Sequence, residues 1–147
     1  MDIFTIDFES FWSPTYSLTK MSPLEYVLGD EFETISCSIK LNDYPTDVFF
    51  GHDNVAKAFK TIEGTLASSL LIAHNMSAFD AYVAHYVFGL KPKMWGCTLA
   101  MARPLHAKTV GLSLAKLVQH YGLGTKNNAV LMQTRGKHLP DFTPDEL

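Results

Sequence analysis

The opening run Ile3-Phe4-Thr5-Ile6-Asp7-Phe8-Glu9 constrains this chain more than any other stretch, because apolar and polar residues alternate through it without a break. A period of two belongs to a β-strand, with Phe4, Ile6 and Phe8 on one side and Thr5, Asp7 and Glu9 on the other. Such a strand needs a packed layer over its apolar side. Its polar side carries two carboxylates, roughly 7 Å apart along the strand. Like charges in one patch repel unless a cation or a proton accompanies them, so Asp7 and Glu9 are candidate metal ligands. An ordinary polar strand face open to water is the competing reading.

The rest of the chain supplies the layers that this strand requires. Ser22-Pro23-Leu24-Glu25-Tyr26 places an N-cap and a first-turn proline ahead of a short helix. Residues 32–41 and 46–50 read as strands joined by the turn residues Asn42-Asp43-Tyr44-Pro45, hence as a hairpin. Residues 54–64 are apolar at 55, 58, 59 and 62, the spacing of one helical face, and close on Gly64. Ser69 to Ala73 is a continuous apolar run, which suits a strand buried on both faces. A helix near 77–88, a short strand at 94–98 and helical stretches at 99–103 and 112–121 follow, and residues 124–141 show no periodicity. Three early strands followed by alternating helices and strands predict an α/β layer fold with a mixed sheet.

At 147 residues and 47% hydrophobic, the chain is expected to be one domain spanning 1–147, with a core large enough to need no staples. That composition excludes a disordered tail and a disulfide-framed miniprotein. Cys37 and Cys97 carry no CxxC or CxxH pattern, which argues against a zinc knuckle or redox pair and for a reducing compartment. The N-terminus lacks a signal-peptide pattern, and no charge-poor run reaches the roughly 18 residues of a membrane span. A soluble chain with no membrane partner is expected, in the cytoplasm, or in the host-cell cytoplasm if phage-encoded.

The net charge of −3 conceals a division along the sequence. Residues 1–90 hold four basic and twelve acidic side chains, whereas residues 91–140 hold eight basic side chains and no acid. An acidic lobe suits divalent cations and a basic lobe suits a polyanion. Charge clustering on solvated faces would give the same division.

The segment His74-Asn75-Met76-Ser77-Ala78-Phe79-Asp80 lies just after the apolar run, where the chain turns over the carboxyl edge of a sheet into a helix. Sites in layered α/β folds gather at that edge. Asp80 is therefore a third candidate ligand, although Ser77 and Asp80 also have the spacing of a reciprocal helix cap. Asn75 has the chemistry of a turn residue, and His74 that of a hydrogen-bonded core histidine.

Together, Asp7-x-Glu9 and Asn75-x-x-x-x-Asp80 resemble the first two motifs of the DEDD (DnaQ-like) 3'-5' exonuclease superfamily. Further blocks resemble the N-terminal proofreading domain of phage family A DNA polymerases: residues 16–21 (YSLTKM), 97–103 (CTLAMAR), 112–117 (LSLAKL) and Gly136-Lys137-x-Leu139-x-Asp141-Phe142-Thr143-Pro144. The resemblance implies a ribonuclease H-like fold with a mixed five-stranded sheet flanked by helices. It also implies two-metal phosphodiester hydrolysis at the 3' end of single-stranded DNA, with RNA left open as substrate. Asp7 would bridge two Mg²⁺ or Mn²⁺ ions, Glu9 would ligate the ion that activates water, and Asp80 would hold the second. Carboxylates are the hard oxygen donors such ions require. Phe11 and Trp12 would stack on or wedge beside terminal bases, with core packing the alternative for Phe11. Asn75, Met76 and Phe79 would line the same pocket, Phe79 doubling as an apolar anchor of its helix.

The resemblance breaks at the third motif, a helix carrying an aspartate preceded by tyrosine or histidine. Neither Asp141 nor Asp145 has that partner at the required interval. The chain is thus expected to be a truncated exonuclease domain, weak or inactive alone, whose site a polymerase domain or a separately encoded remainder would complete. The alternative is a non-catalytic single-strand-binding or polymerase-interaction module on the same scaffold.

Overall fold

The computed structural model describes residues 1–124 and 135–143. Lys126 of the basic run and the terminal Asp145 and Glu146 lie outside the described residues. Five strands, β1 (Ile3–Ser10), β2 (Thr34–Leu41), β3 (Asp47–Phe50), β4 (Leu70–Ala73) and β5 (Met94–Cys97), form one sheet in the order β3-β2-β1-β4-β5. The pairs β1/β2 and β2/β3 are antiparallel, and β1/β4 and β4/β5 are parallel. Helices α1 (Pro23–Leu28), α2 (His52–Leu66), α3 (Asp80–Tyr82), α4 (Thr98–His106) and α5 (Leu114–His120) accompany it. An open, mixed five-stranded sheet flanked by helices in this order is the ribonuclease H-like arrangement expected from the sequence.

The alternation of β1 is realised residue by residue. Phe4, Ile6 and Phe8 are buried, while Thr5, Asp7 and Glu9 are exposed. The buried triplet meets Val55, Phe59 and Leu66 of α2, with the Phe8 and Phe59 rings 5.9 Å apart. Beyond α3 the chain makes a π-helical turn, Val83–Val87, that delivers Phe88 onto Phe8 in a stacked pair at 5.7 Å. A fully buried phenylalanine contributes about 1.5–3 kcal/mol of transfer free energy, so this aromatic cluster helps clamp the helices to the sheet. Helix α1 begins where expected, with Ser22 and Glu25 forming a reciprocal cap behind Pro23.

Three expectations are corrected. The run 69–73 is buried on one side only: Leu71 and Ala73 are buried, but Leu70 and Ile72 are half-exposed. Leu70 stands beside Ile3 and Met94 across three strands, and both of those are more than two-fifths exposed. The second face of the sheet is thus only partly covered at its β1, β4 and β5 strands among the described residues. Second, α2 does not stop at Gly64. It continues to Leu66, which is 1% exposed, and the burial of that side chain outweighs the roughly 1 kcal/mol cost of a helical glycine. Third, the stretch 77–88 is a turn, three α-helical residues and the π-helical turn rather than one helix.

Candidate active site

The parallel pairing of β1 with β4 ends at Thr5 opposite Ile72, whereas its antiparallel pairing with β2 continues to Ser10. The far half of β1 therefore reaches past β4, toward the segment that follows β4. Asp80 meets it there: Asp80 Oδ1 accepts a hydrogen bond from the Phe8 backbone N–H at 3.3 Å. Phe8 lies between Asp7 and Glu9, so three carboxylates separated in the chain share one end of the sheet.

Asp80 is 2% exposed, and its electrostatics follow from that position. Burial first, then the neighbouring charges of Asp7 and Glu9, raise its carboxyl to about 7, against the opposing effect of the Phe8 N–H. Two of the three carboxylates also act on Cys37, opposite Phe8 on β2, whose thiol is held far above its ordinary value by burial, Asp80 and Asp7. Cys37 gave no signal in the sequence, because its proximity depends on strand register.

The competing capping role for Asp80 is not formed. Helix α3 has Phe79 as its N-cap with no side-chain cap bond, and Ser77 Oγ instead contacts Cys97 Sγ at 3.5 Å. The carboxyl serves the first strand rather than its own helix. In kind, Asp7, Glu9 and Asp80 are the hard donor set that Mg²⁺ or Mn²⁺ requires. They are not gathered into a cage: among the described residues no group of three or more His, Cys, Asp or Glu side chains is close enough to hold a metal ion.

The proposed substrate-contact residues divide. Phe11 is 5% exposed, stacked on His138 at 4.2 Å and tilted against Tyr16 at 6.3 Å. Met76 is 2% exposed within the core. Phe11 thus takes the core-packing role given as its alternative to base stacking, and the burial of Met76 corrects the expectation that it lines a substrate pocket. Phe79 packs partly buried against the core, with its ring 6.2 Å from Tyr26, in the anchoring role foreseen as its alternative. Asn75 makes a turn, its carbonyl accepting from the N–H groups of Ala78 and Phe79 at 3.0 Å each. His74 is a structural histidine, with Nδ1 bonded to Thr98 Oγ1 at 3.0 Å and Nε2 to the Leu112 carbonyl at 3.1 Å. Trp12 remains half-exposed, with the Arg135 guanidinium 5.8 Å from its ring centre.

Arg135 reaches Trp12 because residues 135–143 strap the end of the sheet. Gly136 N–H donates to the Trp12 carbonyl at 2.8 Å, and the Glu33 carboxylate accepts from Leu139 N–H at 3.0 Å and from His138 Nδ1. This strap, rather than any local pattern, buries Phe11. The aperiodic character of that region offered no hint of it.

No protein-family model matches the chain, and no curated protein matches it by sequence. Among solved structures it is similar to the family B DNA polymerase from the hyperthermophilic archaeon Pyrobaculum calidifontis. The TM-score is 0.66 at 14% identity, over 99% of this chain and 21% of that one. The likeness is one of fold, and the chain spans about a fifth of the length of that polymerase.

Proposed function

We propose that this chain is a polymerase-type 3'-5' exonuclease domain acting on the 3' end of single-stranded DNA. The observation that carries this reading is the delivery of Asp80 to the backbone of Phe8, between Asp7 and Glu9, on a sheet whose fold is shared with a DNA polymerase. Asp7, Glu9 and Asp80 would hold Mg²⁺ or Mn²⁺. When bound, such ions supply an activated water and charge stabilisation on the leaving oxygen. The Phe8 N–H orients one oxygen of Asp80, while Trp12 and Arg135 offer a π face and a cation beside the end of β1.

A second reading has its own support. The three carboxylates are not converged into a cage, which fits a non-catalytic single-strand-binding or polymerase-interaction module. Incubation of the chain with 5'-labelled single-stranded DNA and Mn²⁺, beside Asp7→Ala, separates the two. Shortening from the 3' end that is lost in Asp7→Ala supports hydrolysis at this site. Binding without shortening counts against hydrolysis by this chain alone and favours the module.

A further inference from the structure

Four aromatic side chains that the candidate site does not use gather on the outer side of α3 and its π-helical continuation. Tyr82, His85, Tyr86 and Trp95, with Ala81, border an open groove of about 380 Å³. Tyr82 and Tyr86 stand one helical turn apart with rings stacked at 6.1 Å, and His85 meets Tyr86 edge-on at 5.0 Å. Val83 and Ala84 of the same segment are fully buried, Tyr82 packs partly buried against the rim of the core, and Tyr86 faces outward. Tyr86 is 52% exposed and Trp95, on the edge strand β5, is 40% exposed. Large aromatic surface left in water and clustered on one rim marks an interaction surface.

The charge around it selects the partner. Asp80 is the last acid before Asp141, and Lys91 and Lys93 lie just ahead of the strand that carries Trp95. A surface combining flat aromatic faces with a lysine two residues before Trp95, at the spacing of one strand face, matches a polyanion that also presents π faces. We infer that Tyr82, Tyr86 and Trp95 form a stacking platform for single-stranded nucleic acid, with Lys93 contacting its phosphates. A duplex keeps its base faces stacked and unavailable, so the platform takes unpaired bases. This surface does not depend on the carboxylate site, because binding here requires no metal and no cleavage.

The test is made in chelator with the full chain carrying Trp12→Phe, which leaves Trp95 as its sole tryptophan. The probe is a thymidine oligonucleotide of about twelve nucleotides, within the range of single-strand site sizes. It is compared with an abasic strand of equal length and with polyglutamate. Bound thymidine strand is expected to quench Trp95 emission, with Tyr86→Leu weakening binding roughly 5- to 100-fold. Unchanged Trp95 emission when anisotropy shows the oligonucleotide bound would overturn the platform. So would an abasic strand or polyglutamate that binds as tightly and quenches as much. The Trp95 signal in the parent protein keeps the test decisive even if Tyr86→Leu fails to fold. Loss of 3' shortening in Asp7→Ala with binding in chelator unchanged would show that the platform and the carboxylate site act separately.

Discussion

Substituting Asp80 by asparagine isolates the cost of holding a carboxyl where this fold puts it. The native side chain is 2% exposed and its carboxyl is raised to about 7 from 3.8 by burial first and by Asp7 and Glu9 in addition. Between those two pH values the folded chain binds more protons at this position than the unfolded chain. The contribution of Asp80 to stability is therefore fully present below about pH 4 and is lost as pH rises through about 7. Three pH units at about 1.36 kcal/mol each bound the loss at about 4 kcal/mol. Asparagine keeps an acceptor for the Phe8 N–H but brings an amide that also needs partners, at about 1–3 kcal/mol if unsatisfied. Asp80→Asn in chelator is thus expected to be more stable than the native chain by about 1–3 kcal/mol at pH 8, with the advantage vanishing or reversing at pH 4. Urea unfolding across that range measures both profiles. Parallel profiles would refute the reasoning, since they would mean that Asp80 titrates alike in the folded and unfolded chains. Saturating Mn²⁺ should stabilise the native chain more than Asp80→Asn, and an equal effect on both would count against Asp80 as a ligand.

Further outcomes follow from local geometry. A Cβ at Gly29 would stand 2.5 Å from Tyr16 Oη and 3.0 Å from the Glu25 carbonyl, where Tyr16 bonds the Tyr26 carbonyl. Gly29→Ala should cost about 1–3 kcal/mol in denaturant unfolding, and a neutral result would contradict that packing. The two thiols should react in sequence with a disulfide reagent at neutral pH. Cys97, lowered by hydrogen bonds from Ser77 and from nearby backbone N–H groups despite partial burial, should react first, and Cys37 only on unfolding. Equal rates would exclude this. Glu33→Ala should raise hydrogen exchange at the amides of Gly136 and Leu139 roughly tenfold as the strap loosens. Unchanged exchange would show that Glu33 does not hold it.

Much of the fold was legible because it is written locally. The alternation at residues 3–9 predicts which face of β1 is dry, and Phe4, Ile6 and Phe8 are buried as that pattern requires. The Ser22-Pro23 start of α1 and the hairpin between β2 and β3 are also carried by neighbouring residues. Burial on the second face of β4 was not legible, because a continuous apolar run records what a strand can bury and not what comes to cover it. The same limit applies to Phe11, whose aromatic character suits a base or a core equally. His138, far along the chain, decides between them.

From the amino-acid order alone came the two-sided first strand, the five-stranded α/β layering, and Asp7, Glu9 and Asp80 as acids placed near one sheet edge. Only the tertiary structure decided what those acids do to one another, because that depends on register and depth. The bond from the Phe8 amide to Asp80 spans 72 residues, and the pairing of β1 with β4 must stop at Thr5 before that amide can look toward Asp80. Periodicity reports the direction in which a side chain leaves its own backbone. Distances between segments, the solvent they exclude and the pKa values that result are set by the packing of elements that share no local pattern.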